Sequence, residues 1–393
     1  MKIAYVVPRY GTSVRGGAET GARMFAEHLV VDCGYQVEVM TTCALDALTW
    51  RDELTPGTEV VNGVTVHRIA SQAGRGDGFH PLSGRLLADP EQASAADMEL
   101  WVDLQGPLSP DLLHAVEASD ADVIAFYPYL YYPTIRGLPR VRERAIMHPA
   151  AHEEPALHLS IFDPLFSQCR GFVFQSRSER QLVTERFGVA TTPQVLVGLG
   201  VEESDGSADA ARLEYALGDD PYLICIGRVD DKKGTGILWR YFRAYKERHP
   251  GPLKLILVGQ VVDPPELADD ILLTDMIGDR TKWGLLRGAH ALVSPSPFEA
   301  FSITVVEAMT VGVPVIVNAS CGATREHCEQ SGAGMWFEGY AEFEAVVERM
   351  TTDVRVHRTM GANGRRYVEA NFRWPVLLDR YCGFLEAFAG RSG

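Results

Sequence analysis

No apolar run in this chain approaches the ~20 residues that a membrane-crossing helix needs, so no spanning helix is expected. The first such run, Lys2 to Val7, is too short for a secretory leader and reads as a strand. Cysteine is sparse and unpatterned. Its seven residues, at 33, 43, 169, 225, 321, 328 and 382, are odd in number and form no Cys-x-x-Cys. That argues against a disulfide framework and for reduced thiols in a cytoplasmic protein. Cys321, His327 and Cys328 lie close together but lack the paired ligands of a structural zinc. Positive charge is short too: 37 Lys and Arg face 52 Asp and Glu, a net charge of −15. The deficit is shared, −8 over residues 1–200 and −7 over the rest. Neither half therefore offers a basic face to nucleic acid or to an anionic membrane. No Gly-x-Gly-x-x-Gly follows the strands expected at 3–8 and 222–226, which disfavours a nicotinamide-dependent dehydrogenase.

What is present suits an ordinary globular protein of two domains: 393 residues, 46% hydrophobic and 23% charged. The most informative stretch runs from Ser294 to Val317. An apolar run, Ala289 to Val293, breaks at Pro295 and Pro297, and an amphipathic segment resumes at Ser302. Gly312 and Pro314 then precede a second apolar run to Val317. Ser302 suits a helix N-cap and Gly312 the position just past a helix end. The reading is strand, loop, helix, strand, with the loop at the carboxyl ends of a parallel sheet, where such folds bind ligands. Glu299 lies in the loop and Glu307 inside the helix, among residues that should face a core. A buried carboxylate requires a partner. Vicinal hydroxyls, as in sugars and ribose, supply one, and the helix start beside Phe301 and Ser302 offers free N–H groups to an anion.

A similar unit begins the second half. Tyr222 to Ile226 is a buried strand, Gly227-Arg-Val-Asp-Asp-Lys-Lys-Gly234 a turn, and a helix follows to about His249. Arg228 and Lys233 flank that turn as a candidate diphosphate clamp, guanidinium binding oxygens in pairs and ammonium as a point charge. Near the N-terminus, strand 3–8 leads through Arg15-Gly-Gly-Ala-Glu19 into a helix over 18–31, a geometry that lets backbone amides approach phosphate.

The run Pro295-Ser-Pro-Phe-Glu-Ala-Phe-Ser-Ile-Thr-Val-Val-Glu-Ala-Met309 resembles the Glu-x7-Glu signature of retaining, nucleotide-sugar-dependent glycosyltransferases of the GT-B fold. The glycogen-synthase-like group, glycosyl transferases group 1, is the family in question. Gly227-Arg-Val-Asp-x-x-Lys-Gly234 is similar to the donor-phosphate motif of the same group. Ala300 and Ser302 stand where such proteins often carry glycine. The resemblance implies that Glu299 holds hydroxyls of the transferred sugar and Glu307 the ribose. It also implies that Ala300, Phe301 and Ser302 line the donor, that the Met276-Ile277-Gly278 turn packs the base, and that Gly17 belongs to a loop against the diphosphate. His152, in Ala145-Ile-Met-His-Pro-Ala-Ala-His152, matches a histidine at that strand end in many relatives, with a role in holding the sugar or orienting the acceptor. His148 is the fallback and is assigned to the acceptor.

Elsewhere the reading is local. Strands are expected at 37–42, 64–69, 122–126, 171–175 and 253–259, and helices near 280–287, 341–350 and 354–371. Tyr127, Tyr129, Tyr131 and Tyr132 follow one strand, and an aromatic floor for an acceptor sugar, centred on Tyr129 and Tyr131, is expected there. Arg136, Arg140, Arg142 and Arg144 read as a solvated face. Residues 71–110, rich in Gly, Ala, Asp, Pro and Ser, show no assignable structure and are expected to be a loop covering the acceptor. Residues 202–206 read as a linker.

The resemblance therefore implies an α/β protein of the GT-B type: Rossmann-like domains at 1–200 and 201–371, a helix at 372–393 returning to the first, and a cleft between them. Its expected chemistry is retaining transfer of a hexosyl-type unit from a UDP- or GDP-linked sugar to a glycan, lipid-linked or small-molecule hydroxyl. The catalytic set is Glu299, His152, Arg228 and Lys233, with no metal, no Asp-x-Asp metal motif and no other cofactor. A transient contact with a membrane surface is compatible with a lipid-linked acceptor, stable insertion is not. A sugar-nucleotide epimerase of the same architecture would convert donor without acceptor. A non-catalytic scaffold would bind donor and turn nothing over.

Overall fold

The computed structural model describes residues 1–392 apart from 15, 265 and 267, with the backbone alone at 391 and 392. The chain forms two compact units, one of Met1–Leu199 together with Trp374–Gly393, the other of Gly200–Arg373.

Unit 1 contains eight strands: β1 Lys2–Val6, β2 Gln36–Thr42, β3 Gly57–Val61, β4 Val64–Ile69, β5 Val123–Phe126, β6 Ala145–Met147, β7 Phe172–Phe174 and β8 Gln194–Leu196. They lie in the order β3-β4-β2-β1-β5-β6-β7-β8, parallel save for β3, which pairs antiparallel with β4. Its helices are α1 Gly17–Val31, α2 Phe79–Ala88, α3 Ala95–Gln105, α4 Pro110–Ala118, α5 Tyr132–Gly137, α6 Phe162–Gln168 and α7 Arg177–Phe187. The apolar strands are buried on both faces, as a sheet covered by helices requires. The crossover through α7 follows local chemistry. Ser176 caps α7 by accepting the Glu179 N–H at 3.0 Å, and Gly188 just past its end takes φ +67°.

Unit 2 adds β9 Tyr222–Ile226, β10 Lys254–Val258, β11 Ile271–Leu273, β12 Ala291–Ser294, β13 Val315–Asn318 and β14 Gly334–Phe337, all parallel in the order β11-β10-β9-β12-β13-β14. Around it pack α8 Ala208–Glu214, α9 Thr235–Arg248, α10 Asp279–Gly288, α11 Ile303–Thr310, α12 Gly322–Ser331, α13 Tyr340–Thr352 and α14 Val354–Asn371. The last helix, α15 Trp374–Ser392, belongs to unit 1. In each sheet the strand order reverses beside the first strand, between β1 and β5 and between β9 and β12. Those are the places where doubly wound sheets open a crevice for ligands.

Two expectations fail here. Residues 71–110 are not an irregular cover: α2 and α3 fill most of the segment. Met98, Trp101, Val102 and Gln105 are buried on one side of α3, and Ser94 caps it by accepting the Asp97 N–H. Val60 to Thr65 forms a hairpin that the strand reading omitted. Its Asn62-Gly63 turn takes φ +50° and +85°, the twist that a two-residue hairpin loop needs. No helix among the described residues is long and apolar enough to cross a membrane.

Candidate functional site

The β9–α9 turn is organised by Asp230, which is buried. Its Oδ1 accepts the Lys233 N–H at 2.7 Å, its Oδ2 accepts from Arg228 Nε, and its carbonyl accepts the Thr235 hydroxyl at 2.9 Å. The backbone must then turn sharply at Gly234, at φ +74°, and a Cβ there would lie 2.5 Å from the Pro295 carbonyl oxygen. Glycine thus lets the turn after β9 lie directly on the loop after β12. The close approach places Lys233 Nζ 2.7 Å from Glu299 Oε1, joining two motifs 66 residues apart. Both side chains stay half-exposed at the carboxyl edge of adjacent strands.

Beyond Glu299 the loop enters α11 through Ser302. Ser302 holds the cap position, but with φ +69° and no bond from its hydroxyl to a helix N–H; Oγ lies 3.4 Å from Thr304 Oγ1. A serine in this left-handed region costs about 1 kcal/mol, where glycine would cost nothing. Gly312, at φ +74°, ends the helix as expected, its N–H on the Met309 carbonyl.

Glu307 is buried, and its partner is one the sequence reading missed: Lys282 of α10, with Nζ 2.8 Å from Oε1. Oε2, equally buried, has no hydrogen-bond partner among the described residues. Burial raises the Glu307 pKa, and Lys282 pulls it back down. The arrangement leaves one buried carboxylate oxygen without a donor among the described residues. Ile277 sits half-buried in the turn before α10, and Ala300 half-buried beside Glu299.

Phe301 does not offer its ring to a ligand. The ring is buried against His327 and Phe372, at 4.8 and 5.2 Å between centroids, so only its backbone belongs to the loop surface. His327 Nε2 is 3.0 Å from the Phe301 carbonyl and Nδ1 is 3.1 Å from the Tyr367 hydroxyl. Burial lowers the His327 pKa to about 4. The ring is therefore neutral, Nε2–H donating to the carbonyl and Nδ1 accepting from Tyr367, which fixes the loop from below. The spacing of Cys321, His327 and Cys328 reflects this packing, and among the described residues no cluster of three His, Cys, Asp or Glu side chains is placed to hold a metal ion.

Unit 1 presents a different set at its own switch point. Arg9, after β1, forms a buried pair with Glu19 of α1, Nε to Oε1 at 3.0 Å, and its Nη1 donates to the Leu45 carbonyl at 2.7 Å. Gly16 permits this. A Cβ there would stand 2.2 Å from Glu19 Oε2, whereas one at Gly17 would meet nothing within 4 Å. Arg15 lies outside the described residues. Tyr131 is half-buried, its ring edge-on to Trp50 at 5.0 Å.

Three expectations are corrected in this unit. Tyr129 is buried between Phe162 and Phe166, with its hydroxyl on Glu154 at 2.9 Å, so its ring cannot line a sugar floor. His148 is a core residue. It stacks on Tyr127 at 4.9 Å, bonds the Tyr381 hydroxyl through Nε2 at 2.9 Å, and is held to a pKa of about 3 by burial. An Asp-x-Asp does exist, Asp120-Ala121-Asp122, but it precedes β5 at the amino edge of the sheet, where Asp122 accepts the Lys2 N–H at 2.8 Å. His152 does lie in a half-exposed loop after β6, its Nδ1 3.8 Å from Glu154 Oε1. The preceding Ala151 N–H is held by the buried carboxylate of Glu179 at 2.9 Å. Burial pushes that carboxyl up to about 8, against the backbone N–H bonds that favour its charge.

Comparison with known proteins follows the same outline. Residues 209–367 match the family model described as Glycosyl transferases group 1. An uncharacterized glycosyltransferase of Methanocaldococcus jannaschii is 22% identical over 395 residues, covering 96% of each chain. Sucrose-phosphate synthase of Thermosynechococcus elongatus superposes with a TM-score of 0.71 at 18% identity, over 99% of both chains. HepE of Anabaena, solved with UDP and glucose, superposes with a TM-score of 0.67 at 14% identity, over 98% of this chain and 100% of that one.

Proposed function

We propose that this chain, whose residues 209–367 match the glycosyl transferases group 1 and whose fold is GT-B, moves a hexosyl-type unit from a nucleotide diphosphate sugar to an acceptor hydroxyl with retention of configuration. The observation that carries the reading is the Lys233–Glu299 contact, which sets a cation and a carboxylate side by side at the switch point of unit 2.

In this reading the diphosphate displaces Glu299 from Lys233 and is held by Lys233 and Arg228. Those two cations stabilise the negative charge that grows on the leaving group, the main electrostatic task of such a site, and no metal ion is assigned to the step. Glu299 then turns to hydroxyls of the sugar, Glu307 Oε2 accepts from the ribose, and the backbone at Ile277 borders the base. In unit 1, resemblance assigns Gly17 to a loop against the diphosphate and His152 to the sugar or the acceptor, and Tyr131 is assigned to the acceptor. The bond from the anomeric carbon to the diphosphate oxygen breaks as the acceptor oxygen bonds to that carbon from the same face. The acceptor proton passes to the departing diphosphate. No carboxylate nucleophile is required, and a trapped glycosyl–enzyme adduct would overturn that part.

The donor class is tested by thermal unfolding with UDP, GDP, dTDP and ADP, on the wild type and on the Arg228→Ala, Lys233→Ala double variant. A ligand at ~100 times its dissociation constant stabilises by about 2.7 kcal/mol. One diphosphate that stabilises the wild type alone is the expected result, and the HepE complex makes UDP the first choice. No response to any of the four would sink the clamp. Binding without turnover against a broad acceptor set would favour a scaffold, and conversion of the donor without acceptor an epimerase.

A further inference from the structure

Five of the seven cysteines are buried, and the two that are half-exposed face each other. Cys33 lies in the turn after α1 and Cys382 midway along α15, 349 positions later, with Sγ atoms 3.1 Å apart. The contact is one link in a seam. Phe25 of α1 packs on Trp374 and Tyr381 at 5.5 and 4.9 Å, and His28 stacks on Trp374 at 3.8 Å. On the far side of the pair the Tyr35 hydroxyl donates to Glu386 Oε1 at 2.7 Å. Contacts on both sides thus hold the two sulfurs at a fixed approach. A disulfide needs ~2.0 Å between them, so a closure of about 1 Å separates the thiols from a bond.

We propose that Cys33 and Cys382 are a modification site, a thiol pair that a low-molecular-weight disulfide such as oxidised glutathione converts reversibly into a cross-link between α1 and α15. Cys33 attacks one sulfur of the oxidant, its S–S bond breaks, and one reduced thiol leaves. Cys382 then attacks the Cys33 sulfur of the mixed disulfide and expels the second thiol. Both cysteine protons end on the two released thiols, and two electrons pass from the pair to the oxidant. Burial, and then Cys33 at its side, push the Cys382 thiol up to about 12. Its proton stays in place at the outset, and the first attack falls to Cys33. Intracellular disulfides of this kind are usually transient or redox-sensing rather than structural, and this one would close most of the chain into a loop, the case in which a cross-link restrains the unfolded state most.

The full-length protein is incubated with oxidised glutathione, alkylated under denaturing conditions, digested and mapped by mass spectrometry. The expected product is a peptide pair joining Cys33 to Cys382, with the other five cysteines alkylated and a rise in Tm that dithiothreitol reverses. Cys382→Ser should stop at a glutathione adduct on Cys33. The Cys33→Ser, Cys382→Ser variant should unfold at the same temperature with and without oxidant. Adducts that persist on wild-type Cys33 without cross-linking, no reaction at either residue, or an equal Tm rise in the double variant would each overturn the proposal.

Discussion

The two sheets reverse strand order at equivalent places, yet the loops there hold ions in opposite ways. Beside β9 and β12, Lys233 and Glu299 meet at 2.7 Å with both side chains half-exposed. Beside β1, Arg9 and Glu19 meet in a buried pair, tied further to the Leu45 carbonyl. Each pair depends on a glycine that admits a close approach, Gly234 in one unit and Gly16 in the other. Topology thus supplies the crevice, and burial decides whether a charge pair in it can change partners. An exposed pair gives up little when a ligand replaces one member. A buried pair broken on one side leaves an uncompensated charge.

Lys233→Ala should therefore cost activity, with kcat falling about 10²–10³-fold, as for loss of one group facing developing charge, and Tm changing little. Arg9→Ala should do the reverse, destabilising unit 1 by about 3–5 kcal/mol in denaturant titration. A Lys233 variant that unfolds, or an Arg9 variant of normal stability, would erase the contrast. Glu307→Gln sits between the two. Gln retains an acceptor for Lys282, so the ligand-free Tm should hold or rise, while donor affinity measured by calorimetry drops about 10–100-fold, as expected for hydrogen bonds to a charged group. Unchanged affinity would remove Glu307 from the donor site.

The last contrast is in pH dependence. His148 in unit 1 and His327 in unit 2 are both neutral in the fold, at about 3 and about 4. Unfolded, each takes up a proton near pH ~6.5. Between those limits the unfolded state binds more protons, so stability is whole above pH ~6.5 and falls as pH drops toward 4, by about 1.4 kcal/mol per pH unit for each histidine. Urea midpoints at pH 7 and 5 measure it, and His327→Asn should flatten the slope of unit 2 alone.

How much of this was legible in the sequence followed from how local each feature is. The β9 turn and the loop into α11 are written in consecutive residues, and Glu307 announced itself as a carboxylate inside an apolar helix. Its partner Lys282 did not, because nothing in residues 279–288 marks which side chain faces α11. The hairpin at Asn62-Gly63 and the helix α3 did carry signals, a turn dipeptide in one and apolar residues at 98, 101 and 102 in the other. They were masked by short strands and by surroundings rich in Ala and Asp. His148 and Tyr129 were misplaced for a different reason. Each ends up in the core through residues distant in sequence, Tyr381 for the histidine and Phe162 with Phe166 for the tyrosine.

The return of α15 to unit 1 also sets an order of synthesis. Unit 2 is one uninterrupted stretch and can close as soon as it has left the ribosome. Unit 1, begun first, must wait for its final helix. At ~5–20 residues per second, translation of the intervening unit takes on the order of ten to thirty seconds. Throughout that interval Tyr5, Phe25 and His148 line an open apolar trough where Trp374 and Tyr381 will later lie. The nascent first half thus keeps this apolar surface open until α15 arrives to cover it.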